Sequence, residues 1–476
     1  MLHIDCTLYT PTTLTRLMTH IIKYMMQRLA KGKTILLGIA LALAAGHARA
    51  QEATDTLALN LGKALEIALA ENPTIQVADE EIALKETAYK ESWQSLLPQV
   101  DISGTWSHTI TAPELSLGGQ KFKMGMDKAN TVSGALSISV PLFAPAVYKA
   151  MSLTRTDIEL AVEKARASRQ DLVNQVTKAY YQLMLAQDSY EVLKQSFAVA
   201  EENFHVVNAK YQQGTVSEFD KISAEVQMNS VRPNLIAAEN AVTLSMLQLK
   251  VLMGITVTDL ALRIDDSLTR YESTVYANEL DQLDEGLVNN STMRQMDLNM
   301  KLLRKSRQSL YANFMPTLGA SYSYQYQTMN NTNWNIFGFD WANSSSVAFS
   351  LSIPIYHAGN FTKLKSNRIQ MNQLTLNRTD TERKLNMQAQ SYRKNMQASS
   401  EQVSSNRENV HQAQKAVEIA GKRYEVGKGT VLELNTSQVQ LTEAELTYNQ
   451  SIYDYLVAKA DLDQVLGRDY ISKDQK

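Results

Sequence analysis

Residues 211–227 read YQQGTVSEFDKISAEVQ, and residues 424–440 read YEVGKGTVLELNTSQVQ. Each is a tyrosine, two further residues and a glycine, followed by a helix-compatible run that closes on Val-Gln. The two phrases lie 213 residues apart. A glycine between two helical patterns marks a helix end where the backbone turns through positive φ. Each phrase therefore reads as the tip of a helical hairpin, with Tyr211 and Gly214 at the first tip and Tyr424, Gly427 and Gly429 at the second.

The tips belong to a larger duplication. At the same offset Pro141 falls on Pro354, Gly254 on Gly467, and SVPLF (139–143) on SIPIY (352–356). Upstream the offset becomes 218, pairing Leu65 with Leu283, Asn72 with Asn290 and Pro98 with Pro316. A period this long is not a solenoid unit but two copies of one structural half. The first half spans 51–254 and the second 277–467, joined by an irregular connector at 255–276 and followed by a polar tail at 468–476.

In the first half, apolar residues recur in alternating steps of three and four. From Ile158 to Tyr211 only Arg169 breaks the seam, which is the signature of a coiled-coil helix. Helices are expected at about 55–97, 147–211 and 216–254, and again at 277–315, 360–424 and 430–467. Pro233 is expected to kink the third of these, because it removes a backbone donor. The segments 74–97 and 216–254 together nearly match 147–211 in length. Two short helices thus read as stacked end to end beside one long one, about 100 Å at 1.5 Å per residue.

Between Pro98 and Pro141, and again between Pro316 and Pro354, the period changes to two. Strands are expected at about 100–110, 131–141, 317–328 and 345–354, with the prolines at the strand–helix transitions and polar loops at 111–130 and 329–344. One face is Val, Ile, Leu, Tyr and Trp; the other is mostly Ser, Thr, Gly and Gln. That alternation suits a half-buried soluble sheet, and it equally suits a barrel that is apolar toward lipid and polar toward a wet lumen. Four strands do not close a barrel, and open edges do not survive in lipid, so a membrane reading requires several copies of the chain.

The amino-terminal stretch differs from the rest. Arg28, Lys31 and Lys33 precede an apolar run at 34–46, followed by Ala48-Arg49-Ala50, the pattern of a secretory signal peptide covering 1–50. The sole cysteine, Cys6, lies within it. Beyond residue 50 there remain 41 basic and 48 acidic residues, which gives no electrostatic footprint for nucleic acid.

The tandem halves, the SVPLF and SIPIY strand exits and the paired YQQG and YEVG turns resemble the TolC-like outer membrane efflux protein family over almost all of 55–467. That resemblance implies a membrane α+β fold. Three chains would form a twelve-stranded barrel on a coiled-coil periplasmic tunnel, in the outer membrane of a Gram-negative bacterium. It also implies a passive exit duct for efflux or type I secretion. Its partners would be outer membrane lipid, a periplasmic adaptor docking at the tip turns (Tyr211, Gly214, Gly427, Gly429) and an inner-membrane transporter of RND or ABC type. Tyr424 and Glu433 match the family's aperture tyrosine and first acid, with Asp220 the first-half equivalent of Glu433. The second acid position falls on Thr436 and the family's basic position on Gly429, so the usual salt-bridge latch is not expected.

No catalytic or cofactor motif competes with this reading. His108, His205, His357 and His411 are scattered without metal-ligand spacing, and there is no phosphate loop or nucleophile elbow. The alternative is a structural coiled-coil stalk at the cell surface. Against it, the strands sit inside each half rather than at an end.

Overall fold

The computed structural model describes residues 57–118, 120–123, 127–255, 262–264, 266–276, 286–330 and 340–469. All of these except Leu57 belong to one compact unit, 58–258 with 262–476. The expected signal peptide, residues 256–261 and 265 of the connector, the start of the 277–315 helix and most of the polar tail lie outside the described residues.

Helix α1 (Leu61–Glu71) is capped by Asn60, whose side chain accepts the Lys63 N–H at 2.8 Å, and buries Ala64, Leu65 and Ala68. Helix α2 (Pro73–Gln94) follows at once, so the helical stretch expected over 55–97 is two helices, the second starting where the 74–97 segment was expected to start. The break is Asn72, extended at ψ 125°, the conformation a following proline enforces. Its side chain then accepts the Thr74 N–H at 2.8 Å and caps α2.

The long helices are α3 (Pro145–Gln212) and α6 (Ala358–Glu425), each of 68 residues. Helices α4 (Glu218–Leu252), α5 (Ser291–Ala312) and α7 (Val431–Leu466) complete the set. Helix α4 runs on unbroken through Pro233. Helix α3 packs along α2 and α4, and α6 along α5 and α7, so each long helix lies against two shorter ones. Helix α3 also packs against α5 and α7, placing it at the centre of the chain.

The shorter helices meet end to end through one device used twice. Gly254, at φ 73°, follows α4, and the Asn72 side-chain amide donates to the Leu252 carbonyl at 2.7 Å. Gly467, at φ 71°, follows α7, and Asn290 donates to the Val465 carbonyl at 2.7 Å. Both asparagines also cap the helix they precede, α2 and α5. A Cβ on Gly254 would stand 2.7 Å from the Glu71 oxygen, and one on Gly467 only 2.1 Å from the Asn289 oxygen. Glycine is required twice over at each point, for the turn and for the close approach.

Strands β1 (Gln99–Thr109), β4 (Ala129–Phe143), β5 (Thr317–Asn330) and β6 (Ala342–Ser352) form one antiparallel sheet in that order. The expected loop at 111–130 carries a small hairpin of its own, β2 (Glu114–Leu117) with β3 (Gln120–Lys123). The four prolines differ in setting. Pro98 and Pro316 stand immediately before β1 and β5, whereas Pro141 lies inside β4, where the pairing with β5 shifts between Pro141 and Phe143. A residue without an N–H is tolerated at such an irregularity. Pro354 stands two residues beyond β6, in an irregular segment leading to α6.

Candidate functional site

Two regions hold the residues singled out by the sequence, the hairpin tips and the sheet. At the tips, Gly214 and Gly427 adopt φ 72° and 70°. Thr215 N–H bonds back to the Lys210 carbonyl at 3.0 Å and Lys428 N–H to that of Arg423 at 2.8 Å. This six-to-one closure satisfies the last carbonyls of α3 and α6. A Cβ on either glycine would meet nothing within 4 Å, so both turns face open space.

The tips also pack on each other. Val207 of α3, Ala224 of α4 and Val431 of α7 are fully buried, with Phe204, Val216 and Tyr424 against them. Tyr424 therefore sits between the two hairpins. The Lys210 ammonium lies 4.9 Å from the centre of its ring, and Lys221 lies 5.3 Å from that of Tyr211. Burial pushes the Tyr424 phenol upward from its ordinary pKa, and the charge of Asp220 adds to the shift.

The two acids expected at the aperture, Asp220 and Glu433, have different occupations. Asp220 completes a capping box: its carboxylate accepts the Ser217 N–H at 3.1 Å and the Ser217 hydroxyl at 2.7 Å. Glu433 follows the Thr430 cap of α7, but its side chain reaches across the turn to Arg423, 3.4 Å away. The Arg423 guanidinium also donates to the Lys428 carbonyl at 3.3 Å. Thr436 donates to the Leu432 carbonyl of its own helix at 2.8 Å. Gly429 is confined because a Cβ there would stand 3.0 Å from the Arg423 Cβ. Sequence reasoning looked for the basic partner at Gly429 and missed Arg423. The available signal was a base and an acid, Arg423 and Glu433, on opposite sides of the glycine turn.

The sheet has two chemically distinct faces, set by its register. Val100, Ile102 and Trp106 of β1 lie in line with Ile138, Leu136 and Val132 of β4. The same face continues through Tyr322 and Tyr324 of β5 to Val347 and Phe349 of β6. Most of these are exposed in the single chain, with Ile102 at 84% and Phe349 at 71%. The opposite face is mostly Ser, Thr and Gln, with cross-strand hydroxyl pairs at Thr105–Ser133 (2.7 Å) and Ser323–Ser346 (2.8 Å). An apolar face this exposed suits lipid, and a hydroxyl face suits water. Strands β1 and β6 both leave an edge unpaired.

A profile of the outer membrane efflux protein family matches residues 64–255 and 283–468. The chain belongs to the outer membrane efflux protein family. Its two matched segments correspond to the two halves of the duplication. The outer membrane protein TolC of Vibrio cholerae is 21% identical over 383 residues, 80% of this chain and 84% of that protein. Its namesake from Escherichia coli is 20% identical over 419 residues, 86% and 82% of the two chains. Among solved structures, a membrane protein from Pseudomonas aeruginosa superposes with TM-score 0.68 at 16% identity, covering 87% of this chain and 92% of that one. The Campylobacter jejuni CmeC outer membrane channel gives TM-score 0.66 at 16% identity, covering 86% and 85%. As an outer membrane efflux protein, the chain is an exit duct of the Gram-negative outer membrane, with strands in the bilayer and helices in the periplasm. The family thereby decides between the duct and the surface stalk.

Proposed function

We propose that three copies of the chain close a twelve-stranded barrel and pass cargo outward without an energy source of their own. The observation that carries this is the exposed sheet edge on either side of an apolar wall, since unpaired backbone groups are not stable in hydrocarbon. A second observation points the same way. Helix α4 leaves Phe219, Val226, Leu244 and Val251 at 66, 61, 66 and 73% exposure, spaced along one flank and unpartnered within the chain. A neighbouring copy covers that flank.

In this reading the six tips of a trimer face the periplasm. The turns at Tyr211, Gly214, Gly427 and Gly429 meet a periplasmic adaptor, and an inner-membrane transporter of RND or ABC type supplies energy and selects cargo. Tyr424, Glu433 and Asp220 border the closed aperture, with the Arg423–Glu433 pair as its latch. The test is single-channel recording of residues 51–476 in a planar bilayer. A small discrete conductance that grows in Arg423→Ala supports a latched duct. Well-folded trimer that forms no channel refutes it.

A further inference from the structure

The polar face of the strand wall is neutral along almost its whole length. On β1 it comprises Gln99, Asp101, Ser103, Thr105, Ser107 and Thr109; on β4 it is Thr131, Ser133, Ala135, Ser137 and Ser139. Across β5 and β6 it continues as Ser321, Ser323, Gln325 and Gln327 with Ala348, Ser346, Ser344 and Ala342. Asp101 is the sole ionisable side chain on this face among the described strand residues. The row that crosses the sheet through it is Asp101, Ser137, Ser323 and Ser346. None of its neighbours in that row carries a compensating charge, and Asp101 itself is exposed. The register keeps it off the Val100–Ile102 face, where a carboxylate in lipid would be strongly unfavourable.

We propose that Asp101 sets the ionic selectivity of the barrel bore, apart from any acid at the periplasmic tips. The inference rests on the trimeric reading, in which three copies of β1 place three carboxylates in one ring near the periplasmic end of the barrel. A hydroxyl-lined bore discriminates little between small ions of either sign. Three fixed negative charges in that bore raise the local concentration of cations and lower that of anions. With each acid about 10 Å from the axis of a twelve-stranded bore, Coulomb attraction screened at physiological salt favours cations over anions about threefold, and more at low salt. The consequence for transport is a preference for cationic and neutral cargo over anionic cargo in the barrel.

The experiment is reversal-potential measurement in a potassium chloride gradient on the full mature chain, with Asp101→Asn, Asp101→Lys and the double variant Asp101→Asn/Ser137→Asp. Asp101→Asn is expected to lower the potassium-to-chloride permeability ratio about threefold, and Asp101→Lys to lower it further. Moving the acid to Ser137, its partner in the same row, is expected to restore the ratio. A trivalent cation added on the extracellular side is expected to block the parent channel and to block Asp101→Asn less. Unchanged selectivity and unchanged external block in Asp101→Asn, with normal channels, overturn the assignment of Asp101 and leave the duct intact. Absence of channels in the parent chain overturns the trimeric reading, and this inference with it.

Discussion

The junction glycines lend themselves to a graded test, because three of them share a backbone conformation and differ only in surroundings. Gly427, Gly254 and Gly467 adopt φ of 70°, 73° and 71°. Alanine therefore suffers the same left-handed penalty at each, about 1 kcal/mol net. At Gly427 that is the whole cost, since the new Cβ meets nothing within 4 Å. At Gly467 the Cβ would lie 2.1 Å from the Asn289 oxygen and 2.4 Å from its carbon, both backbone atoms. To relieve this, the end of α7 must part from the start of α5 by more than 1 Å. That movement strains or breaks the 2.7 Å bond from Asn290 to the Val465 carbonyl. Adding a lost hydrogen bond and disturbed packing brings Gly467→Ala to about 3–4 kcal/mol. Gly254→Ala, at 2.7 Å from the Glu71 oxygen, falls between. Amide hydrogen exchange over residues 286–300 reads the effect locally, because the Met293 and Arg294 N–H groups are held by Asn290. Gly467→Ala is expected to speed their exchange by about a hundredfold, and Gly427→Ala to leave it unchanged. Equal effects of the two substitutions would refute the close-approach argument.

Ser217→Ala removes the hydroxyl that binds Asp220 at 2.7 Å and is expected to loosen the first turn of α4 by about 1 kcal/mol, seen as faster exchange over 216–222. The Arg423–Glu433 pair is about half exposed on both sides, so a double-mutant cycle on thermal unfolding should return at most about 1 kcal/mol of coupling. The same substitutions, made singly, should nonetheless raise single-channel conductance. Asp188 on α3 accepts the Leu268 N–H at 2.9 Å and the Ser267 hydroxyl at 3.1 Å, tying the connector to the long helix. Burial raises its pKa above the ordinary carboxylate range, so the folded state holds this proton more tightly than the unfolded chain does. Its contribution is fully present below the unfolded pKa and is lost as pH rises through the folded one. Asp188→Asn is thus expected to unfold at higher temperature than the parent at pH 7. The advantage should shrink as pH falls into the carboxylate range, and a pH-independent difference would contradict this account.

Legibility in the sequence followed the range of the interaction that fixes each feature. The hairpins were readable because glycine and a three–four seam are local signals: Ala165, Leu172, Val176, Ala179 and Leu183, all on the expected seam, are buried in α3. The strand faces were readable for the same reason, since a period of two is visible within ten residues. The break at Asn72 was readable for the same reason, since Asn-Pro is a local helix-start signal and the 74–97 segment was expected to begin just after it. The second buried row of α3 was not readable at all. Its Gln170 bonds to the Gly467 carbonyl at 3.1 Å, and Asn174 and Lys178 bond to Asp461 at 3.0 and 2.9 Å. Polar residues on a helix surface look solvated until a partner nearly three hundred residues away is known. Arg423 was missed for a different reason. The family pattern directed attention to position 429, where this chain has a glycine that no side chain can replace without moving Arg423.

The duplication is not symmetric in its energetics, and the asymmetry bears on how the protomers join. Helices α3 and α6 have equal length and equivalent places in their halves. Yet α3 buries 20 side chains, among them Tyr180, Leu183 and Met184, whereas α6 buries five: Asn367, Ala389, Met396, Ser399 and Val403. The reason is position. Helix α3 has its own hairpin partner on one flank and α5 with α7 on the other, whereas among the described helices α6 packs mainly on α5 and α7. Its free flank carries Phe361, Ile369, Leu376 and Met387, all about half exposed or more, and α4 carries the matching unpartnered seam. A duplicated chain that rotates one half onto the next by nearly the same operation leaves one such unsatisfied flank at each end. A closed ring covers both with copies of the contacts already made inside the chain. In the proposed trimer, α6 against the neighbour's α4 is thus the counterpart of α3 against α7. The internal contact fixes its register with the polar Asn174–Lys178–Asp461 cluster, whereas the apolar flanks rely on shape and burial.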